Sequence, residues 1–407
     1  MRILLINHYA GGPAYGMEHR PWYLSDAWQR MGHEVLVVAA GYAHTRVVQP
    51  AQDHIGRVTD ISGVPALFLP APRYSGNGPG RVWNMLGFLT GLYKRTPFFV
   101  KEFQPDVVIA SSTYPPDIWP ADRIARKSGA RLVWEVHDLW PLSPIELGGF
   151  SKHHPFMMWL QRAENFACKK AHKVVSLLPC TQEHLTAHGM SPEKFAWIPN
   201  GIAAHEWDTT VPVPEPHQTV IRELKSQGMT LVGYTGALGV ANAMDPLIEA
   251  AQYCRDSKVA FVITGHGPEK ENLKRKATEM GLSHIRFCDP VPKKHLPALL
   301  DQMDILYVGF HKNPLYKYGV SPNKLYDYMM AGKPIIQAIE AGNNPVKEAQ
   351  CGIDIQANDP KAIASAIREL MALPASNIQK MGEAGKKYVL QHHEFDVLAR
   401  RFLEEIE

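Results

Sequence analysis

Gly319-Val-Ser-Pro-Asn-Lys-Leu-Tyr-Asp-Tyr-Met-Met-Ala-Gly-Lys-Pro334 follows a short apolar run at 305–308 and leads into another at 334–337, so it reads as the helix joining two parallel strands. Ser321 is a favoured N-cap, Pro322 suits the first helical position, and Gly332 ahead of Lys333-Pro334 suits the stop. Backbone N–H groups left unpaired at such a start, together with the helix dipole, attract phosphate, and Lys324 adds a full positive charge beside them. Asn323 and Asp327 share one helix face, which sets a hydroxyl-binding carboxylate one turn below the anion-binding end. A diphosphate above and a ribose below is the ligand this arrangement predicts. An ordinary capped helix after an irregular loop would carry the same start signals.

The alternation runs through the chain. Apolar runs at 3–7, 35–40, 66–69, 107–110, 131–134, 174–177 and 195–198, then at 231–234, 259–263, 285–287, 305–308, 334–337 and 352–355, are separated mostly by helical stretches. The fold class is α/β, and 407 residues suit two domains of about 100–200 residues each. The proline-rich stretch Val211-Pro-Val-Pro-Glu-Pro216 is the predicted border, giving domains at 1–208 and 209–385. Two doubly wound sheets would place the carboxyl ends of their strands around a cleft, where the active site is expected.

A net charge of +3 is too small to argue for nucleic acid as a partner. The five cysteines (168, 180, 254, 288 and 351) lack a CxxC spacing and predict buried thiols in a reducing compartment, hence a cytoplasmic protein. The start, Met1-Arg-Ile-Leu-Leu-Ile-Asn7, reads as a strand and not as a signal peptide, and no apolar run is long enough to span a bilayer.

In the first half, His8-Tyr-Ala-Gly-Gly-Pro-Ala-Tyr-Gly16 is a glycine-rich loop between strand and helix. Gly11, Gly12 and Gly16 do not make GxGxxG, and no acid follows the second strand, so a nicotinamide dinucleotide is not expected. The strand at 131–134 runs out into Glu135-Val-His-Asp-Leu-Trp-Pro141, which puts His137 and Asp138 at a strand's carboxyl end as candidate active-site residues. With nineteen histidines in the chain, position singles out His137, and Asp138 either orients it, contacts the acceptor or forms the loop. Residues 81–101 mix bulky apolar side chains with Arg81, Lys94, Arg95 and Lys101, which suits either an anionic membrane interface or plain packing on a sheet. Phe156-Met-Met-Trp-Leu160, followed by basic residues, is a second such segment.

Gly32-His-Glu-Val35, Ile198-Pro-Asn-Gly-Ile202, Thr264-Gly-His-Gly-Pro268 and the 319–334 stretch occur in the order found in family 4 glycosyltransferases of the GT-B fold, and the chain resembles that family over nearly its whole length. Within it, His137-Asp-Leu-Trp-Pro141 and Ser321-Pro-Asn-Lys324 look most like bacterial enzymes that add sugars such as N-acetylfucosamine to lipid-linked surface polysaccharide. The resemblance implies two Rossmann-like domains and a C-terminal helical segment, 386–407, crossing back to the first. It implies that Gly265, Gly267 and Val291 border the nucleotide base, that Ser321, Asn323 and Lys324 take the diphosphate, and that Asp327 receives the ribose. Gly16 would face the diphosphate or the sugar, and His137 would sit beside the transferred sugar.

The implied activity is retaining transfer from a nucleoside diphosphate sugar, UDP-linked, to a lipid-linked saccharide, without a cofactor and without metal, at the inner face of the plasma membrane. The sequence contains no DxD. It also departs from the family: many members carry glutamates at the places of Gly319 and Asp327, and an Arg and a Lys at the places of Ala237 and Asn242. The first loss leaves sugar recognition to backbone near Gly319 and Val320. The second leaves Lys324 to stabilise the leaving group. A nucleotide-sugar 2-epimerase and a non-catalytic nucleotide-sugar-binding subunit are the alternatives.

Overall fold

Runs such as Val35-Leu-Val-Val-Ala-Ala40 are apolar on both sides of the pleat, so they are stable as strands only where helices cover both faces of a sheet. The computed structural model describes residues 1–16, 18–76, 78–209 and 211–407. The chain divides into two units, Met1–Asn200 with Phe395–Glu407, and Gly201–Glu394.

In the first unit, β1 (Arg2–Ile6), β2 (Glu34–Ala40), β3 (Val58–Ile61), β4 (Val64–Leu69), β5 (Val107–Ala110), β6 (Arg131–Val136), β7 (Lys173–Ser176) and β8 (Phe195–Trp197) form one sheet in the order β3-β4-β2-β1-β5-β6-β7-β8. Neighbours are parallel except β3 and β4. The antiparallel β3 is absent from the sequence reading. Ser62 and Gly63 turn the chain with φ of 50° and 88°, and Asp60 Oδ1 accepts from the Gly63 N–H at 2.9 Å. That Ser-Gly pair between two β-branched runs is the hairpin signal that marks it.

The helical C-terminal segment is broken into two helices. Ala375–His392 belongs to the second unit, and Phe395–Ile406 packs on the helix Arg20–Arg30 of the first. There Trp28 Nε1 donates to the Ala399 carbonyl at 3.0 Å and meets Phe402 edge-on at 5.2 Å.

In the second unit, β9 (Thr230–Thr235), β10 (Val259–Thr264), β11 (Ile285–Cys288), β12 (Ile305–Gly309), β13 (Ile335–Ala338) and β14 (Gly352–Ile355) are all parallel, in the order β11-β10-β9-β12-β13-β14. The winding direction reverses between β9 and β12, which opens a crevice at their carboxyl ends. The proline-rich stretch lies inside this unit and not at its edge: Val213 joins the core and the Pro212 carbonyl accepts from His295 Nδ1 at 2.7 Å. Four cysteines are buried, but Cys180 is exposed. Among the described residues no helix is long and apolar enough to cross a membrane.

Candidate active site

At the β9/β12 reversal, the helix Asn323–Met330 begins one residue later than its capping signals suggest. Pro322 precedes its first turn without a side-chain cap, and Ser321 Oγ shares a hydrogen bond with Tyr326 OH at 2.9 Å instead. The N-cap assignment of Ser321 is therefore corrected: the phenol one turn into the helix engages the hydroxyl that would otherwise cap it. Tyr328 seats the helix against the end of β9, its hydroxyl accepting from Thr235 N–H at 2.8 Å and donating to Thr235 O at 3.2 Å.

Lys324 then spans the crevice. Its Nζ donates to Tyr234 OH at 2.7 Å and to Asn242 Oδ1 at 2.6 Å, and lies 4.4 Å from the Tyr234 ring centroid. Both acceptors are neutral, and among the described residues no carboxylate forms an ion pair with this lysine. Burial pushes its ammonium group down to about 7. One of three N–H donors remains for a ligand. A buried charge with only neutral partners is the condition an anion relieves.

Asp327, half-buried on the same helix, has no side-chain hydrogen bond or ion pair among the described residues. Burial raises its carboxyl to about 6, with Lys293 pulling down and Glu206 pushing up. Its oxygens are open to hydroxyl groups. Asn323 is exposed. Val320 N–H already donates to Asn343 Oδ1 at 2.8 Å, and Gly319 N–H donates to Tyr316 O at 2.9 Å.

Gly265 and Gly267 have a structural reason to lack side chains. A Cβ at Gly265 would stand 1.9 Å from Gly236 O, and one at Gly267 would stand 2.3 Å from Leu238 O, because the loops after β9 and β10 touch backbone to backbone. Val291 packs partly buried on the core.

In the first unit, Asn7, Ser111, Glu135 and His137 converge at the carboxyl ends of β1, β5 and β6. His137 Nε2 lies 2.9 Å from Ser111 Oγ and 3.1 Å from Glu135 Oε2, while Ser111 Oγ donates to that carboxylate at 2.6 Å. Nε2 therefore carries a proton directed at the carboxylate, and Nδ1 lies outside these contacts. Burial opposes the charge of Glu135, yet the Arg20 guanidinium, His137 and Ser111 hold its carboxyl down to about 2. Arg20 Nε donates to Glu135 Oε1 at 2.9 Å, and its other nitrogens donate to the Ile198 and Pro199 carbonyls.

Asp138 does something else: it accepts from Leu139 N–H at 2.8 Å, Ser143 Oγ at 2.5 Å and Trp140 Nε1 at 3.2 Å, forming its own turn. Gly16 has φ of 71°, and a Cβ there would meet Val47 at 2.9 Å. Sequence reasoning missed Glu135, Ser111 and Tyr234. It also missed Glu18, which holds φ at 46° and whose carboxyl is raised by burial and by Glu135, with His137 opposing.

Residues 15–201 match the family described as glycosyl transferase 4-like domain, and residues 230–372 match the glycosyl transferases group 1. The chain belongs to the glycosyltransferases of the GT-B fold. It is 24% identical over 253 residues to the probable glycosyltransferase WbjE of Pseudomonas aeruginosa, across 61% of this chain and 62% of that protein, so the match leaves over a third of the relative uncovered. It is 23% identical to the putative colanic acid biosynthesis glycosyl transferase WcaI of Escherichia coli K12, across 70% of this chain and 69% of the relative. The fold of this glycosyltransferase is shared with Anabaena HepE, solved with UDP-glucose, at a TM-score of 0.67 and 16% identity over 99% and 98% of the two chains. WaaG, a glycosyltransferase involved in lipopolysaccharide biosynthesis, superposes at a TM-score of 0.68 and 14% identity over 99% of each chain.

Proposed function

We propose that the chain transfers a sugar from a nucleoside diphosphate sugar, with UDP as the nucleotide, to a hydroxyl of a lipid-linked saccharide during cell-surface polysaccharide synthesis, with retention of anomeric configuration. The observation that carries this reading is Lys324: an ammonium group recessed among neutral oxygens at the β9/β12 reversal, with a donor to spare. The UDP assignment is supported by HepE, whose structure contains UDP-glucose, and the pathway by the names of WcaI and WaaG.

In the reaction the bond from the anomeric carbon to the diphosphate oxygen breaks, and a bond to the acceptor oxygen forms on the same face. The acceptor's proton passes to the leaving diphosphate. Lys324 and the first N–H groups of its helix neutralise the charge that develops there, which removes the need for a metal ion at this step. Asp327 accepts the ribose hydroxyls. His137, its Nε2–H held by Glu135, offers Nδ1 to a hydroxyl of the transferred sugar. Asp138 shapes the turn that carries His137.

The test is a thermal-shift series on the full chain with UDP, GDP and TDP and their sugars. UDP at 100 times its dissociation constant adds about 2.7 kcal/mol of stability. Equal and negligible shifts for all three nucleotides overturn the donor assignment, and conversion of the donor to an epimer in the absence of acceptor overturns the transfer.

A further inference from the structure

A third cluster lies away from both sites, on the first unit's helices flanking β7. Glu164, on the helix Pro155–Lys170, is buried, and His184 and His188 reach it from the helix Gln182–Ala187 and the residue just beyond it. One donor atom from each of the three residues lies within 4.8 Å of the others. His184 Nε2 is 2.9 Å from Glu164 Oε1, and His188 Nε2 is 3.8 Å from Glu164 Oε2. The four-residue spacing of the histidines puts both rings on one face, 4.4 Å apart.

The hydrogen bonds around the cluster fix how it faces inward. His188 Nδ1 lies 2.8 Å from the His184 carbonyl, which can only accept, so Nδ1 carries a proton and Nε2 is the ring nitrogen turned toward the carboxylate. At 3.8 Å the Nε2–Oε2 separation is too long for a direct hydrogen bond and leaves room for an ion between the two atoms. Gln161 Nε2 donates to Glu164 Oε2 at 2.6 Å and orients the carboxylate from outside. Outer contacts of these two kinds, a carbonyl on the far ring nitrogen and a donor on the carboxylate, are what hold metal ligands in place.

We propose that Glu164, His184 and His188 form a binding site for one zinc-like divalent cation, with a fourth position open to water. Zinc takes imidazole nitrogen and carboxylate oxygen at about 2.0–2.2 Å, so neighbouring ligand atoms of a tetrahedral site stand about 3.4 Å apart. The separations of 2.9 and 3.8 Å bracket that spacing. The His188 side chain, 26% exposed, provides the way in. The ion staples the two helices that flank β7. It lies outside the sugar-transfer chemistry and does not depend on that assignment.

The experiment uses the full chain, stripped with chelator and titrated with zinc in competition with a chromophoric chelator, and with cobalt followed by its visible spectrum. The wild type binds one equivalent and shows the intense bands of tetrahedral cobalt, and equimolar zinc raises Tm by about 5 °C. H188Q, at the more exposed ligand, weakens zinc binding at least about 100-fold, beyond the cost of an outer-contact change, and H184Q/H188Q abolishes the cobalt bands while circular dichroism stays unchanged. Zinc bound equally by wild type and the double variant, or a wild type with neither cobalt bands nor a thermal shift, overturns the proposal.

Discussion

At Lys324 the desolvation of an ammonium group is left for a ligand to offset. Lys324→Ala removes charge stabilisation on the leaving diphosphate and lowers kcat by about 100-fold or more with the fold retained, by analogy with the loss of one preorganised donor. Steady-state kinetics on a folded variant check this, and near-normal turnover sinks the assignment. The pH dependence has a definite sign. In the free protein the group titrates near about 7, and an anionic ligand favours the protonated form, so its pKa rises in the complex. Affinity for the UDP-sugar therefore falls as pH climbs through and beyond 7, by up to about tenfold per unit, and Lys324→Met flattens the slope. Calorimetry between pH 6 and 9, in about unit steps, reads it, and a flat wild-type profile contradicts the role. The sequence singled out Lys324 by its place in the first turn of a helix between two buried strands. Its partners Tyr234 and Asn242 were not, because they come from a loop far away in the chain.

At the scale of elements, His137 is positioned by the strand that precedes it. Glu135 reads in the sequence as an ordinary strand residue, since nothing local says that its carboxylate points at Arg20 from a helix more than a hundred residues earlier. Arg20 in turn binds the carbonyls that end the unit's last strand, so one guanidinium joins the helix Arg20–Arg30, β6 and the segment after β8. Arg20→Met leaves a buried carboxylate without compensation and costs about 3–5 kcal/mol of stability, measurable by urea unfolding, with part recovered in Arg20→Met/Glu135→Gln. A loss below about 1 kcal/mol would mean the carboxylate is not held by this pair. The strand positions themselves were legible because apolar runs of this length have no stable alternative in a doubly wound sheet. The hairpin strand β3 escaped because half of its residues are polar.

For the whole molecule, the lipid-linked acceptor proposed above calls for exposed apolar surface beside basic residues. On the helix Pro79–Phe98, Trp83, Leu86 and Tyr93 are exposed in one stripe, opposite the buried Met85, Phe88, Leu89 and Leu92. With Lys94 beside it, this stripe suits an anionic interface. Flotation with anionic vesicles should carry the full chain upward, and Trp83→Ser should release it; binding that ignores lipid charge counts against the interface. The proposed service of the leaving group by Lys324 and the helix start predicts that sugar transfer persists in chelator at a temperature well below Tm. Loss of transfer at that temperature, restored by a divalent ion, would instead put a metal into the chemistry.

The chain's own residues determined the class, two sets of buried parallel strands, the ends of most of them, and the presence of the helix Asn323–Met330 after β12, because hydrophobic periodicity, glycine and proline act locally. Tertiary structure alone decided which side chains share a charge: Lys324 with Tyr234 and Asn242, His137 with Ser111 and Glu135, and Glu164 with its two histidines. Such groups meet only when strands distant in the chain become neighbours in a sheet, and burial then sets their protonation. No local pattern carries that information.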